Sequence, residues 1–489
     1  MVEFDARFTH ALRWPARWAA PAVVAVGAAA WTLGIRGIDH RFISFSDGAY
    51  TYIASEAVAH GLHQLYGTIV LSQPPAVVLG AAGLWRLSGH VETIRLALAL
   101  LSIVTVLLTY AVARANRLAP GLAAAAALVA LAAPIHAQFS GLDGEALLTP
   151  LALGLALALH RRRSGISGLL VGAGFFVKLT WLAFALAAFV VIARTRGRRD
   201  LTRALLAAIA AAAVLYGTSL AAFGWKPGDL LAEIVLGQSG SGLQLGQLGS
   251  IAVLIVLAWS PLVPLAAAGA GSLMRPSRAL LVAGLASAAF VVKQGTFFNV
   301  LDPAEPFLAI AAAAGAMELW RGRFVPARWL VVGCTLGVVF HTASLTGTAA
   351  RRALPAPIGA AVVSTDDEAV VDRAAHVIDA RSRLSDAVLV NPLLAVVAER
   401  REVAGQADWF ILRALERSCG SDAAAPARCR LWAEMKRRAR GGDAAVVGVD
   451  SNVRGFDPSF ARDTGTRRMA RILHLTNPPL ELTLYARSR

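Results

Sequence analysis

The sequence predicts a polytopic α-helical membrane protein of about eleven spans, ending in a small extracytoplasmic α/β domain. Three observations predict it. First, 56% of the 489 residues are hydrophobic and only 16% are charged, against roughly a quarter charged in an ordinary soluble domain; the mean hydropathy is +0.58. Second, charge is unevenly spread: the last 141 residues hold about as many charged side chains as the first 348, about a 2.5-fold rise in density. Third, the first part consists of apolar runs rich in Ala, Leu, Val and Gly. Such runs suit helices rather than barrel strands, which would alternate in polarity. The chain therefore divides into a membrane module, 1–348, and a soluble domain, 349–489.

A membrane-spanning helix needs about 17–25 apolar residues. In order, the candidate spans are 18–36, 92–112, 118–135, 146–160, 165–178, 179–193, 203–223, 249–270, 278–294, 304–320 and 328–347. The N-terminal stretch "MVEFDARFTHALRWPARWAA" has no small-residue cleavage site after a short apolar core, so it reads as a cytoplasmic lead into a retained first helix. The pair 165–178 and 179–193 is short enough for broken helices dipping from the outer side. Arginine sets the topology. Arg7, Arg13 and Arg17, then Arg114 and Arg117, then Arg161, Arg162 and Arg163 form the first runs. Arg194, Arg196, Arg198, Arg199 and Arg203, then Arg275 and Arg278, then Arg321, Arg323 and Arg328 form the rest. With eleven spans and a cytoplasmic N-terminus, every run falls inside. That result requires "PPAVVLGAAGLWRLSG" (74–89) not to cross. It is about 12–14 apolar residues long and opens with Pro-Pro, so it reads as a surface or re-entrant segment. The formal charge of +16 lies largely in these short loops, a topology signal that argues against nucleic acid as a partner.

The last domain then lies on the outer face of a bacterial-type plasma (inner) membrane. Within it, 386–390, 444–449 and 480–486 look like short buried strands separated by helical patterns. Cys419 and Cys429 both fall there, either as an extracytoplasmic disulfide or as two unpaired thiols, while Cys334 sits inside a span.

The same topology gathers the chemistry-bearing residues outside. The large first loop, 37–91, carries Asp47, Tyr50, Glu56, His60, His63, Tyr66 and Gln73. Later loops add His136, Asp143, Glu145, Lys226, Lys293, Asn299, Asp302 and Glu305, with Lys178 at the outer end of its span. Ionisable groups at the bilayer boundary are costly unless paired or functional. Asp47 in "SDG" is either a turn former or a general base for an acceptor hydroxyl. Tyr50, Ala54, Val58 and Gly61 continue after it at helical spacing, which predicts an amphipathic surface helix. Asp143 and Glu145 either cap a helix and complement its dipole or form an acidic pair with a chemical role. Lys178 in "GFFVKLTW" must snorkel, pair or bind an anion such as a lipid phosphate. Asp302 and Glu305 each precede a proline and suit a helix start. His60, His63 and His136 lack helical metal-ligand spacing, so hydrogen bonding is their expected task and no metal site is assigned. No phosphate-binding loop or dinucleotide fingerprint follows a strand, so a nucleotide donor has no cradle.

These features resemble the GT-C superfamily of integral membrane glycosyltransferases. The likeness is greatest to the branch of protein O-mannosyltransferases and lipid A aminoarabinose transferases. "FSDGAYTYIASEAVAHGLHQLYG" with "QPPAVVLGAAGLWRLSG" is similar to that branch's first-loop signature, and "GAGFFVKLTW" and "KQGTFFNVLDPAEPFLA" are similar to its later motifs. The resemblance implies inverting transfer of a sugar from a polyprenyl-phosphate donor to a hydroxyl acceptor on a glycolipid, cell-wall glycan or protein. It implies Asp47 as catalytic base and Asp143 as the second-loop acid. Lys178 and Lys293, with Tyr50 and Tyr66, would contact the donor phosphate. Glu56, His63, Gln73, His136, Glu145, Asn299 and Glu305 would line the substrate. Gly48 stands where relatives usually carry Glu, and "LYGTIV" lacks an acid often found just after the Tyr. A divalent metal is therefore unsupported. The competing class is a transporter or flippase, which would favour internal repeats and midplane ionisable groups; neither pattern is evident.

Overall fold

The computed structural model describes residues 19–29, 45–67, 69, 71, 73–131, 142–231, 233–234, 249, 259–292, 298–322, 325–346, 365–390, 392–402, 437, 444–450, 467–476 and 479–486. Helix α1, Ala19–Ala29, is followed by α2, Phe45–His60. α2 is not the surface helix that its spacing suggested. Tyr52, Ile53, Ala54 and Ala57 are all buried, because α2 is packed on two sides. One side meets Val77, Ala81, Ala82, Ile94 and Leu142; the other meets residues from the C-terminal sheet region. An amphipathic reading that followed one stripe missed the second apolar face.

α3, Ala76–Ser88, starts straight after Pro75, where a missing N–H costs nothing. At 13 residues it is about 20 Å long, too short for a hydrocarbon core of about 30 Å. α4 (Val91–Ala115) and α5 (Pro120–Leu131) come next, and their buried faces close over Val24 and Ala28 of α1. α6 (Gly144–His160) and α7 (Ser164–Val177) follow. The chain then breaks at Lys178, whose φ of −162° and ψ of 145° are extended. A short 3-10 turn, Leu179–Trp181, leads into α8, Leu182–Arg196. Gly174 makes this hairpin possible: a Cβ there would lie 2.2 Å from Trp181 Nε1. Because it is glycine, the indole crosses α7 and donates to the Val171 carbonyl at 3.0 Å.

α9 (Arg198–Phe223) packs along α7, and α10 (Pro227–Leu231) follows it. α11 (Val263–Gly269), α12 (Arg275–Ala286), α13 (Glu305–Arg321) and α14 (Val325–Thr346) follow, with a 3-10 turn, Phe298–Ala304, leading into α13. Among the described residues, four helical stretches, Val91–Ala115, Leu179–Arg196, Arg198–Phe223 and Asn299–Arg321, are long and apolar enough to cross a membrane. Together with the shorter apolar helices they make a helical membrane protein. Its ends are chemically distinct. α6 runs from Asp143 to Arg161, α7 from Arg163 to Lys178, α8 back to Arg194 and Arg196, and α13 from Glu305 to Arg321. Arginines gather at one end and carboxylates with Lys178 at the other.

After α15, Thr365–Arg381, the chain builds a five-stranded sheet of order β2-β1-β3-β5-β4. The strands are β1 (Ala387–Leu389), β2 (Arg401–Glu402), β3 (Ala444–Asp450), β4 (Arg467–Thr476) and β5 (Pro479–Ala486), with α16, Pro392–Val397, between the first two. β1 is parallel to β2 and β3, while β3–β5 and β4–β5 are antiparallel, with Val447 opposite Tyr485 and Ile472 opposite Leu482. Three strands match the sequence expectation. β4 was missed because its Arg467, Arg468 and Arg471 mask the apolar pattern, and edge strands tolerate such charge. Cys419 and Cys429 lie outside the described residues.

Candidate active site

The carboxylate end is built by three chain breaks. α6 begins at Asp143, which caps it: the Ala146 N–H donates to Asp143 Oδ1 at 3.0 Å. Glu145, in the first turn, is 1% exposed. The α7–α8 break then delivers Lys178 onto it. Lys178 Nζ lies 2.5 Å from Glu145 Oε1 and 2.6 Å from Oε2, and the lysine side chain is 14% exposed. Gly144 leaves room for the lysine stem, since a Cβ there would stand 2.8 Å from Lys178 Cδ.

The third break is the turn before α13. Asn299 Nδ2 donates to Asp143 Oδ2 at 2.9 Å and lies 3.3 Å from Glu145 Oε2. One amide thus ties both acids of the α6 start. Deeper in, Thr149 Oγ1 lies 2.9 Å from Asp302 Oδ2, and Trp259 Nε1 donates to Glu305 Oε1 at 2.6 Å. Asp302 and Glu305 are both buried. A buried ion pair costs desolvation, so it adds little net stability over an apolar pair. Its value here is a fixed ammonium beside a fixed pair of carboxylates. An ammonium has three N–H donors; Glu145 takes two, leaving one for a further oxygen.

The sequence-predicted residues separate into groups. Asp143, Glu145, Lys178 and Asn299 come together. Asp47 lies in the first turn of α2, with its side chain outside the described set, and Lys293 and His136 are outside it entirely. Tyr50 lies next on α2 and packs against the cluster that includes Leu142, just before the α6 start.

Glu56, His63, Gln73 and Tyr66 stand apart from that network. Glu56 Oε2 is 3.5 Å from His60 Nε2 and 3.6 Å from Arg401 Nη2. His63 is exposed and its Nε2 lies 2.9 Å from Gln64 Nε2. Tyr66 was expected at the donor phosphate, but it is buried and donates its hydroxyl to the Gln73 carbonyl at 2.7 Å. Burial, then the nearby Tyr216 and Glu233, push its phenol well above the usual value of 10.0, so it stays a neutral donor. Its ring meets Trp225 edge-on at 5.1 Å, Trp225 Nε1 donates to the Leu62 carbonyl, and Leu71 N donates to Glu233 Oε2 at 2.9 Å. These contacts pin the first loop to the segment after α9. Glu305 likewise turns inward to Trp259 instead of lining an open site.

Sequence reasoning missed Thr149, Trp259, Trp225, Glu233 and Arg401. Thr149 alone carried a signal, one helical turn after Glu145 on the same face. Among the described residues no group of three metal-ligating side chains converges.

No protein-family model matches the chain, and no curated protein matches it in sequence. Solved structures do match. The chain is similar to ArnT from Cupriavidus metallidurans in the apo state, with a TM-score of 0.60 and 16% identity over 97% of this chain and 98% of that one. It is also similar to the same protein bound to undecaprenyl phosphate, with a TM-score of 0.57 and 15% identity over 95% and 97%. Along nearly its whole length, the chain has the fold that ArnT displays.

Proposed function

We propose that the chain is an integral-membrane glycosyltransferase that moves a sugar from a polyprenyl-phosphate donor to a hydroxyl acceptor, with inversion. The observation that carries this reading is the Lys178–Glu145–Asn299–Asp143 network, set at the non-arginine end of a chain with the ArnT fold. ArnT has been solved with undecaprenyl phosphate bound, which supports a lipid-linked donor. The arginine-rich ends suit the cytoplasm, so the network and the region 349–489 would face outward from a plasma membrane, with the N-terminus inside.

In this mechanism Asp47 takes the proton from the acceptor hydroxyl. The acceptor oxygen attacks the anomeric carbon, the bond from that carbon to the phosphate oxygen breaks, and the electron pair leaves with polyprenyl phosphate. The free Lys178 N–H meets the growing negative charge on that phosphate, where fixed positive charge accelerates the step. Asp143, fixed by its cap and by Asn299, orients donor or acceptor beside it. Lys293 would add a second positive charge.

The test is transfer by the purified protein in detergent from polyprenyl-phosphate sugars, run beside Asp47→Asn. The expected result is product from the wild type and a loss of about 10²–10⁴-fold in the variant. Full activity of Asp47→Asn would remove the base from the mechanism. Substrate counterflow in vesicles without product would make the chain a transporter instead.

A further inference from the structure

The arginine end of the bundle carries a groove with no part in the proposed transfer. Where α13 ends and α14 begins, Arg328 in the first turn of α14 donates from Nε to the Trp320 carbonyl at 3.2 Å and from Nη2 to the Gly322 carbonyl at 3.3 Å. Those bonds satisfy carbonyls left open at the end of α13. Beside these helix ends lies an open cavity of about 390 Å³, lined by Trp329, Leu330, Gly333, Cys334 and Gly337 of α14 and by Ser260 and Pro261 opposite. Trp329, Gly333 and Gly337 recur every fourth residue, so they share one face of α14. The groove therefore runs about 12 Å along the helix, from the first turns of α14 toward the middle of the bundle. At Gly337 an added Cβ would approach Pro261 to 3.2 Å, which closes that end; at Gly333 it would meet nothing within 4 Å.

The mouth is chemically different from the slot. Trp329 is 69% exposed and Trp320 also stands out into the surroundings, as aromatic residues do at a membrane–water interface. Arg321 and Arg328 are exposed beside them, and Arg275 and Arg278 lie exposed at the start of α12, at the same end of the bundle. Glu318, one turn earlier on α13, is the acid of this neighbourhood. Around the slot, α14 exposes Val325, Leu336 and Val339, so the surrounding medium is the bilayer. An open, largely apolar groove with guanidinium groups at its mouth fits a hydrocarbon chain attached to an anion.

We propose that this groove holds one acyl chain of an anionic phospholipid, with the phosphate at Arg321 and Arg328. The site belongs to the leaflet at the arginine end, opposite the end where the sugar donor would react. Native mass spectrometry of the full chain released from nanodiscs of mixed phosphatidylglycerol and phosphatidylcholine tests it. Gly333→Leu fills the slot where the structure leaves open space, and Arg321→Gln removes a charge that makes no fold contact among the described residues. The wild type should retain phosphatidylglycerol at least tenfold over phosphatidylcholine. Gly333→Leu should lose the retained lipid with an unchanged unfolding temperature in detergent, and Arg321→Gln should lose most of the headgroup preference. Equal retention of the two lipids by the wild type would overturn the proposal, as would undiminished retention by Gly333→Leu. Polyprenyl phosphate outcompeting phosphatidylglycerol for the slot would also overturn it.

Discussion

Glu145 grips the Lys178 ammonium with both carboxylate oxygens, at 2.5 and 2.6 Å, with its own side chain almost wholly buried. Breaking such a pair leaves an uncompensated buried charge and costs about 3–5 kcal/mol, whereas replacing both partners by apolar groups is close to neutral. Lys178→Met should therefore lower the unfolding temperature sharply, and Lys178→Met with Glu145→Leu should recover most of it. Neither should regain transfer, because the proposed phosphate contact is gone in both. Thermal unfolding and transfer assays on the two variants check this. Activity in the double variant would show the pair to be structural only.

The lysine stem runs over Gly144, and an alanine there would bring its Cβ to 2.8 Å from Lys178 Cδ and 3.3 Å from Lys178 Cβ. The stem is flexible, so the fold should tolerate the change, but the ammonium would be displaced. Misplacing a catalytic group by about 1 Å can cost roughly 100-fold in rate. Gly144→Ala should thus fold with an unfolding temperature near that of the wild type and lose between about 10- and 100-fold in turnover. Wild-type turnover would show that the exact seat of Lys178 does not matter.

How much of this was legible follows from the kind of signal each residue carries. Asp143 and Lys178 stood out because a cap residue at a helix start and a lone lysine between apolar runs are local patterns. That Lys178 meets Glu145, 33 residues away, depended on the α7–α8 hairpin and on Gly174 letting Trp181 cross it. The burial of α2 on both sides was hidden because its second face is covered by residues more than 300 positions later, such as Val388 and Leu394. Tyr66 read as a ligand-facing phenol, yet its partner is a backbone carbonyl seven residues on, which side-chain identity does not encode.

The C-terminal sheet region meets α2 through two kinds of contact, and they should differ in weight. Arg401 reaches Glu56 at 3.6 Å but is itself 58% exposed, so the pair should contribute no more than about 1 kcal/mol. Leu394 is fully buried in the core shared with Tyr52 and Ile53, where truncation to alanine costs about 2–5 kcal/mol. Arg401→Ala should leave the unfolding temperature nearly unchanged at high and low salt, while Leu394→Ala should lower it by several degrees. A large, salt-sensitive loss in Arg401→Ala would mean that charge, not apolar packing, holds the two parts together.

Tyr66 gives the fold a pH limit at the alkaline side. Burial, reinforced by Tyr216 and Glu233, raises its phenol well above 10.0 in the folded chain, while in the unfolded chain it ionises near that value. Above pH 10 the unfolded state therefore holds fewer protons than the folded state at this position. Stability from Tyr66 is then fully present below about pH 10 and is lost as pH rises toward the folded value. Tyr66→Phe removes the titration and also orphans the Gln73 carbonyl, at a cost of about 1–3 kcal/mol. Denaturation curves at pH 7 and above pH 10 should show the variant less stable at neutral pH, with a shallower alkaline decline than the wild type. Parallel declines would mean that Tyr66 is not the group that titrates.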